Sequence, residues 1–159
     1  MGEVPEDILN FRRVDGRITL SGQPTEGQLT ALAQTGVTDI INLGPHDNKG
    51  ALDDEPASVA KAGMTYHYIP VDFAAPTEAD YTAFTKTMAD LSGKQVHIHC
   101  IYNARVTAFM LRYAHDGHGD AHAAKTIMES IWRPGGVWAS FLGHSADEAL
   151  PNRYRGHAY

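Results

Sequence analysis

Cysteine is nearly absent from this sequence, and long apolar runs are missing altogether. The single cysteine, Cys100, excludes an internal disulfide, so the fold does not depend on an oxidising compartment. No apolar stretch approaches the roughly 20 residues of a membrane-spanning helix, so we expect no membrane partner. Residues 1–7 have neither a basic start nor an apolar segment, which predicts no secretory signal and a cytoplasmic protein.

Positive charge is also scarce. The chain has 13 lysines and arginines against 19 aspartates and glutamates, and its formal net charge is −6. Because no basic stripe offsets this balance, we expect no nucleic-acid partner, although a local positive site for a phosphate is compatible with it. A length of 159 residues, with 43% hydrophobic and 20% charged residues, is typical of a soluble globular protein. We predict a single domain over residues 1–159, with its core at about 11–142.

Strand-like and helix-like segments alternate along the chain. The predicted strands are residues 17–21, 37–43, 65–71 and 95–99, and the predicted helices begin at or just after Thr25, Asp54, Thr77, Arg105, Ala121 and Val137. This alternation predicts an α/β fold with a central, mostly parallel sheet flanked by helices on both faces. Ligands bind at the carboxyl ends of such strands. We therefore expect Leu43-Gly44, Asp72 and Cys100 to lie at one edge of the sheet.

The segment around Cys100 has the order of an anion-binding loop. A buried strand leads directly into Cys100, and an apolar helical pattern starts at Arg105. We expect the N–H groups of the loop and of the first helical turn to point at a bound anion, whose charge the helix dipole favours. The same field favours the thiolate, which is the nucleophilic form of cysteine. The planar fork of Arg105 can hold two phosphate oxygens.

We therefore predict that Cys100 is a nucleophile and that the substrate contacts the loop that follows it. The predicted substrate-binding residues are Ile101, Tyr102, Asn103, Ala104 and Arg105. The nucleophilic role requires a thiol that is ionised near neutral pH and that a substrate can reach. The alternative is a buried structural cysteine, the commonest fate of a lone cysteine.

A thiolate that attacks a phosphate ester needs help from an acid, because an alkoxide is a poor leaving group. Asp72, at the end of a predicted strand, can donate a proton in the first step and activate water in the second. Asp80 is a second candidate for this role, although it lies within a predicted helix. Thr107 is placed to hydrogen-bond the sulfur, and His99 to orient the loop rather than to act as a base. This chemistry needs no metal and no cofactor.

Two other polar clusters have simpler interpretations. His115, His118, Asp120 and His122 are suitable metal ligands by type, but they have no matching partner cluster, so we predict no metal site there. The charges around Asp53, Asp54 and Glu55 are interpreted as helix caps and solvated side chains.

From His99-Cys100 to Arg105, the chain resembles the cysteine-based protein tyrosine phosphatase superfamily in its small dual-specificity form. More narrowly, it is similar to the bacterial branch known as the beta-lactamase-hydrolase-like phosphatase domain. The Gly-Gln-Pro turn within residues 18–24 and the strand at 37–43 extend the resemblance to roughly residues 11–125. It implies a phosphomonoester hydrolase that forms a phosphocysteine. In it, Cys100 matches the nucleophile and Arg105 the phosphate-binding arginine.

Two further roles follow from the resemblance. Thr107 lies near the position of the hydroxyl that assists the leaving sulfur, and Asp72 matches the general acid by its place at a strand end. The implied partner is a phosphorylated protein or small molecule. Phosphotyrosine, phosphoserine, a phosphoinositide and a small metabolite all fit.

The loop itself departs from most members of the superfamily. Four residues separate Cys100 from Arg105 where most tyrosine phosphatases have five, although the narrower bacterial branch also has four. The shorter ring has one N–H donor fewer and no glycine, and Asn103 is its residue best suited to a positive φ. Two alternative functions remain open. One is a rhodanese-type sulfurtransferase, and the other is a catalytically weak module that binds phosphorylated or sulfated ligands.

Overall fold

A computed structural model describes residues 5–154 of the chain. Residues 1–4 and 155–159 lie outside the described residues, and they include the start of the segment considered for a secretory signal and both ends of the predicted domain. The central sheet has five strands: β1 (Arg12–Arg13), β2 (Ile18–Ser21), β3 (Asp39–Asn42), β4 (Thr65–Tyr68) and β5 (Val96–His99). Their order is β1-β2-β5-β3-β4, and all neighbours pair in parallel except β1 and β2. The predicted α/β fold with a mostly parallel sheet is confirmed.

Within the described residues, six α-helices surround this sheet. They are α1 (Glu26–Gln34), α2 (Glu55–Lys61), α3 (Glu78–Asp90), α4 (Ala104–Tyr113), α5 (Ala121–Glu129) and α6 (Gly136–Leu142). A π-helical segment, Ala114–His118, follows α4, and a 3-10 turn, Ser145–Asp147, follows α6. Two short strands, β6 (Trp132–Arg133) and β7 (Arg153–Tyr154), form a separate antiparallel pair. Among residues 5–154, no helix combines the length and the apolarity needed to span a bilayer.

Side-chain caps set the start of two helices as the sequence predicts. At α1, the Thr25 hydroxyl accepts from the Gln28 N–H at 3.1 Å, and the Gln28 side chain accepts from the Thr25 N–H at 2.9 Å. Thr77 and Asp80 form the same reciprocal pair at the start of α3. Each such cap satisfies N–H groups that have no partner within the helix and contributes about 1 kcal/mol.

The core lies on both faces of the sheet, because successive residues of a strand point to opposite sides. Ile40 packs with Leu29, Leu32 and Val59, from α1 and α2, on one face. Ile41 belongs to the larger cluster on the other face, which α3 to α6 complete. The expectation of helices on both faces is therefore confirmed.

The carboxyl ends of three parallel strands meet at one edge. Asn42, the last residue of β3, is in register with Tyr68 of β4 and with His99 of β5. The ladder continues past these strands, because the Leu43 N–H donates to the His99 carbonyl at 2.8 Å and the Val71 N–H donates to the Leu43 carbonyl at 3.0 Å. The segments that begin with Gly44, Asp72 and Cys100 therefore leave the sheet at the same edge, as the sequence predicts.

Candidate active site

The loop after β5 turns through a left-handed residue before α4 begins. Cys100 directly follows β5, and Asn103 adopts a φ of 75° and a ψ of 11°. This conformation is unfavourable for most residues but accessible to asparagine, so the expectation for Asn103 is confirmed. Its consequence is local: the turn directs the Asn103 N–H at the Cys100 sulfur, with a nitrogen-to-sulfur distance of 3.2 Å.

Other amides of the loop have no hydrogen-bond acceptor within the protein. Among residues 5–154, no hydrogen bond uses the N–H groups of Ile101, Ala104 or Arg105. Ala104 and Arg105 are buried residues at the start of α4. Buried N–H groups without an acceptor are unfavourable, and at a helix N-terminus they attract an anion. The loop therefore has the hydrogen-bond donors of an anion site.

Arg105 is held in place from two sides. Its guanidinium donates to the Val71 carbonyl at 2.8 Å and to the Asn48 side-chain oxygen at 3.1 Å. The Phe73 ring lies 5.5 Å from the guanidinium carbon, within cation–π range. These two hydrogen bonds use only part of the five N–H donors that a guanidinium carries. The remaining donors are available to an oxyanion.

The loop at residues 44–54 is anchored at two points near this arginine. Asn48 contacts Arg105, and His46 stacks on Tyr68 with ring centroids 3.8 Å apart. The His46 N–H also donates to the Tyr68 hydroxyl at 2.9 Å, and the His46 ring bonds the Tyr66 hydroxyl at 2.7 Å. The edge strand β4 therefore positions a loop that contacts the guanidinium.

Asp72 lies at the expected edge, one residue beyond the carbonyl that holds Arg105. It is exposed, and one of its carboxylate oxygens accepts from the Ala74 N–H at 2.9 Å. The neighbouring Phe73 pins the loop, because its carbonyl accepts from the Trp138 indole N–H at 2.8 Å. Asp72 therefore directly follows the residue whose carbonyl holds Arg105, and its role as the acid stays a prediction. Asp80 is engaged elsewhere as the cap of α3.

Thr107 supports the first turn of α4 in this structure. Its hydroxyl donates to the carbonyls of Asn103 and Ala104, at 2.9 Å and 3.0 Å, and accepts from the Trp132 indole N–H at 3.0 Å. These bonds direct the hydroxyl proton at carbonyl oxygens. Assistance to the leaving sulfur stays a prediction, and it requires this hydroxyl to rotate.

A buried hydrogen-bonded chain lies behind the loop, and sequence reasoning missed most of it. The Nδ1 of His99 donates to the Cys100 carbonyl at 2.9 Å, in keeping with the predicted orienting role. The Nε2 of His99 lies 2.5 Å from a carboxylate oxygen of Glu55, and the other oxygen accepts from the Gln23 amide at 2.7 Å. Glu55 is 2% exposed, so its interpretation as a solvated charge was wrong.

The position of Glu55 explains both its burial and its charge. It is the first residue of α2, and the neighbouring Asp54 caps this helix. The Glu55 side chain therefore does not cap the helix, and it faces the end of β5. Burial raises the pKa of the Glu55 carboxyl. The hydrogen bond and the charge of His99, with the Gln23 amide, outweigh this effect and hold the pKa below its ordinary value. The sequence signal for this buried acid was its position directly after a residue that already caps the helix.

The Gly-Gln-Pro turn packs directly on the loop. A Cβ at Gly22 would lie 2.5 Å from the Ile101 carbonyl oxygen, closer than carbon and oxygen can approach. The next residue, Gln23, donates its backbone N–H to that same carbonyl at 3.0 Å. Glycine at this position therefore allows the turn and the loop to approach closely enough for the hydrogen bond between Gln23 and Ile101.

The N-terminal segment clamps the loop from the other side, through a residue that sequence reasoning also missed. The Asn10 side chain donates to the Tyr102 carbonyl at 2.9 Å, and the Asn103 side chain donates to the Asn10 carbonyl at 2.8 Å. The Tyr102 ring packs edge-on against Tyr154, with centroids 5.8 Å apart. Both central residues of the loop are therefore held by contacts distant in sequence.

Cys100 is 1% exposed. The sequence interpretation requires a sulfur that a substrate can reach, and this burial leaves little open surface at the residue. The Asn103 N–H donates to the sulfur, and the unpaired amides of Ile101, Ala104 and Arg105 belong to the same loop. Contact between a phosphoryl group and the sulfur therefore requires the group to approach along this loop.

Two members of the histidine cluster at residues 115–122 have other partners. The ring of His118 stacks on Tyr113 with centroids 4.4 Å apart, and Asp120 caps α5 by accepting from the Ala123 N–H at 3.1 Å. Within residues 5–154, no group of three or more histidine, cysteine, aspartate or glutamate side chains is arranged to hold a metal ion.

No family model matches the chain, but solved structures are similar to it. A crystallised candidate phosphatase of the DUF442 family from Shewanella putrefaciens CN-32 is 34% identical, and the match covers 89% of this chain and 93% of that chain with a TM-score of 0.77. P. aeruginosa TpbA, crystallised in complex with pTyr, is 18% identical over 76% of this chain and 72% of its own, with a TM-score of 0.60. The second similarity concerns the fold alone.

Curated relatives are longer proteins. The Beta-lactamase hydrolase-like protein of Agrobacterium fabrum is 35% identical over 109 residues, which are 66% of this chain and 25% of the relative. The corresponding protein of Xylella fastidiosa is 36% identical over 90 residues, which are 55% of this chain and 21% of the relative. The chain therefore spans about a quarter of the length of the curated relatives it matches.

Proposed function

The chain belongs to the DUF442 family, within the branch of the cysteine-based tyrosine phosphatase superfamily that its sequence resembles, and from this premise we propose that it hydrolyses phosphomonoesters through a phosphocysteine. One observation carries the proposal. The unpaired N–H groups of Ile101, Ala104 and Arg105 lie in the same short loop as the sulfur and the Arg105 guanidinium. Such a set of donors suits a tetrahedral oxyanion whose phosphorus faces a nucleophile.

In the first proposed step, the Cys100 thiolate attacks phosphorus. An S–P bond forms while the P–O bond to the leaving group breaks, and the leaving oxygen takes a proton from Asp72. Arg105 and the loop amides hold the three non-bridging oxygens, whose charge they stabilise as the bonds change.

In the second proposed step, water attacks the phosphocysteine. The Asp72 carboxylate, left ionised by the first step, accepts a proton from that water. The new O–P bond forms as the S–P bond breaks, so inorganic phosphate is released and the thiolate is restored. The products account for every atom of one ester and one water molecule.

The proposed substrate is a phosphorylated protein or small molecule, with the dual specificity of the small phosphatases that the chain resembles. The complex of TpbA with pTyr supports phosphotyrosine as one substrate to test. The acidic balance of the chain, with a net charge of −6, favours recognition through the phosphate itself over broad attraction to a polyanion.

The direct test is to trap the covalent intermediate. With an aryl phosphate labelled at phosphorus, rapid acid quench should leave label on the wild-type protein, and the Cys100→Ser variant should carry none. A parallel assay of sulfur transfer from thiosulfate to cyanide separates phosphatase from sulfurtransferase. Sulfur transfer without ester hydrolysis would overturn the proposal.

Two observations favour a second candidate function, an anion-binding module with little turnover. Cys100 is 1% exposed and the loop is one residue shorter than in most tyrosine phosphatases, so the donors could bind an oxyanion that the sulfur attacks slowly. In that case calorimetry would detect phosphate binding to wild-type protein and to Cys100→Ser alike, while rapid quench would trap no label on either.

A further inference from the structure

The chain from Gln23 through Glu55 to His99 ends on the backbone of Cys100. His99 is 0% exposed and Glu55 is 2% exposed, so both side chains are buried away from water. They come from different elements, since His99 ends β5 and Glu55 begins α2. A buried acid and a buried base are unfavourable unless they are paired and hydrogen-bonded, and here both conditions hold.

We propose that Glu55 is a positioning residue that acts on Cys100 through His99: it fixes the ring that holds the Cys100 carbonyl, and it keeps that ring protonated beside the sulfur-bearing residue. This role rests on the proposed function, because it matters for catalysis only if the Cys100 thiolate is the nucleophile.

The hydrogen bonds determine where the protons lie. A carbonyl oxygen only accepts, so Nδ1 of His99 carries the proton in its bond to Cys100. Nε2 and the Glu55 oxygen are 2.5 Å apart, so one proton lies between them. The other oxygen of Glu55 accepts from the Gln23 amide, which favours the carboxylate form, so the geometry assigns that proton to the ring. The result is an imidazolium bonded to the carbonyl of the nucleophile residue.

Other titratable groups surround this pair without replacing it. His46, on the loop after β3, adds positive charge near Glu55 and contributes to the lowering of its pKa. His97, on β5, has its ring centroid 6.5 Å from that of His99, and burial holds its pKa well below the ordinary value, so it stays neutral. Burial, with the charge of Glu55, raises the pKa of Tyr66 on β4, so it also stays neutral. Arg105 is also a cation of this loop, but its hydrogen bonds go to Val71 and Asn48, so the cation that depends on Glu55 is the ring of His99.

The substitution Glu55→Gln separates this role from simple anchoring of α2. A glutamine can accept from the Gln23 amide with its oxygen and donate to Nε2 of His99 with its nitrogen. All three hydrogen bonds of the chain then persist, but the ring of His99 is neutral. The matched control is Glu26→Gln, because Glu26 contacts Ser58 and Lys61 of α2 and is remote from the buried chain.

The measurement is the pH titration of the thiolate by its ultraviolet absorbance. Cys100 is the only cysteine, so subtracting the signal of Cys100→Ser isolates it. Loss of a cation beside the thiol disfavours the thiolate, and we expect the midpoint for Glu55→Gln to rise by about one pH unit or more. Glu26→Gln should titrate as the wild type does. An unchanged midpoint in Glu55→Gln, or an equal rise in both variants, would overturn the proposal.

Two further measurements keep the test decisive. If Glu55→Gln does not fold, the double variant His99→Asn with Glu55→Gln tests the same charge, because an asparagine amide can still donate to the Cys100 carbonyl. Titration needs no turnover, so hydrolysis of an aryl phosphate is assayed separately. A wild type that titrates as expected but hydrolyses no ester would contradict the proposed function and leave the role of Glu55 intact.

Discussion

Single residues of the site owe their orientation to contacts that lie far away in sequence. Arg105 is held by the carbonyl of Val71 and the side chain of Asn48. The loop carbonyl at Tyr102 is held by Asn10. Side chains whose rotamers are locked in this way lose little entropy when a ligand binds, which favours a preorganised anion site.

The substitution Cys100→Ser should abolish turnover and leave anion binding intact. A serine hydroxyl is a far weaker nucleophile than a thiolate, so we expect activity on an aryl phosphate to fall at least about a thousandfold. Calorimetry with inorganic phosphate should give a dissociation constant close to that of the wild type. Arg105→Ala is the companion variant, and it should lose phosphate binding. A Cys100→Ser variant with a tenth of the original activity would exclude Cys100 as the nucleophile.

Asp72→Asn should slow substrates according to their leaving groups. An alkyl ester needs a proton on its leaving oxygen, whereas an activated aryl ester leaves well without one. We expect a loss of about a hundredfold or more for alkyl esters and a much smaller loss for activated aryl esters, measured as kcat/KM. Asp47→Asn, at an exposed acid of the 44–54 loop, is the control. Equal losses on both classes of ester would remove Asp72 from the mechanism.

At the scale of elements, local sequence signals and local structure agree closely. The reciprocal caps at Thr25 and Thr77 place α1 and α3 within one residue of their predicted starts. The strands β1, β6 and β7 were not predicted, because two residues are too few for an alternating pattern. Their pairing depends on the partner strand, which lies elsewhere in the chain.

The turn at Gly22 gives a prediction at this scale. Gly22→Ala places a Cβ against the Ile101 carbonyl and the Leu9 side chain, so the two loops must separate. We expect the free energy of unfolding to fall by about 1–3 kcal/mol, measured by urea denaturation. Gly16→Ala is the matched control, since a Cβ there meets no atom within 4 Å, and it should change stability by less than about 0.5 kcal/mol. Equal effects would show that the close packing at Gly22 is unimportant.

At the scale of the whole molecule, the sheet buries polar groups together with the apolar core. His97 lies in the middle of β5 with 0% exposure, bonded to Thr19 and Ser21 of β2 at 2.7 Å each. The Ser21 hydroxyl donates to the Gly22 carbonyl, so it accepts from Nε2 of His97. Thr19 then donates to Nδ1, and the ring is neutral. Burial, with the neighbouring His99, lowers the pKa of His97 well below its ordinary value of 6.5.

This burial predicts how stability depends on pH. Folding lowers the pKa of His97, so below about pH 6.5 only the unfolded chain takes up a proton at this residue. The contribution of His97 to native-state stability is therefore present above the unfolded pKa and is lost as pH falls below it. We expect a loss of up to about 1.4 kcal/mol per pH unit from this residue, measured by urea denaturation between pH 7.5 and 5. The carboxyls of Asp39 and Glu55, whose pKa values are lowered, add their losses only at more acid pH.

The variant His97→Gln tests whether His97 causes this pH dependence of stability. It should be less stable at neutral pH but show a flatter dependence between pH 6.5 and 5, because it removes the proton that the unfolded state binds. His122→Gln is the control, at an exposed histidine of α5, and it should keep the slope of the wild type. If both variants retain the full slope, the acid sensitivity belongs to other groups.

The sequence by itself determined the fold class, the family and the order of the elements around Cys100. These depend on local signals: apolar periodicity, helix caps, and the short motif from His99 to Arg105. The edge at which Gly44, Asp72 and Cys100 meet also followed, because parallel strands that alternate with helices must end on the same side.

Only the tertiary structure decided which side chains surround the site. Asn10, Asn48 and Glu55 make their contacts at the loop or at His99 across 44 or more residues of sequence, and no periodicity or spacing predicts such contacts. The burial of Glu55 is the clearest case. A charged residue at a helix start is usually solvated. Glu55 is buried because the start of α2 packs at the end of β5, where the His99 ring faces the Glu55 carboxylate.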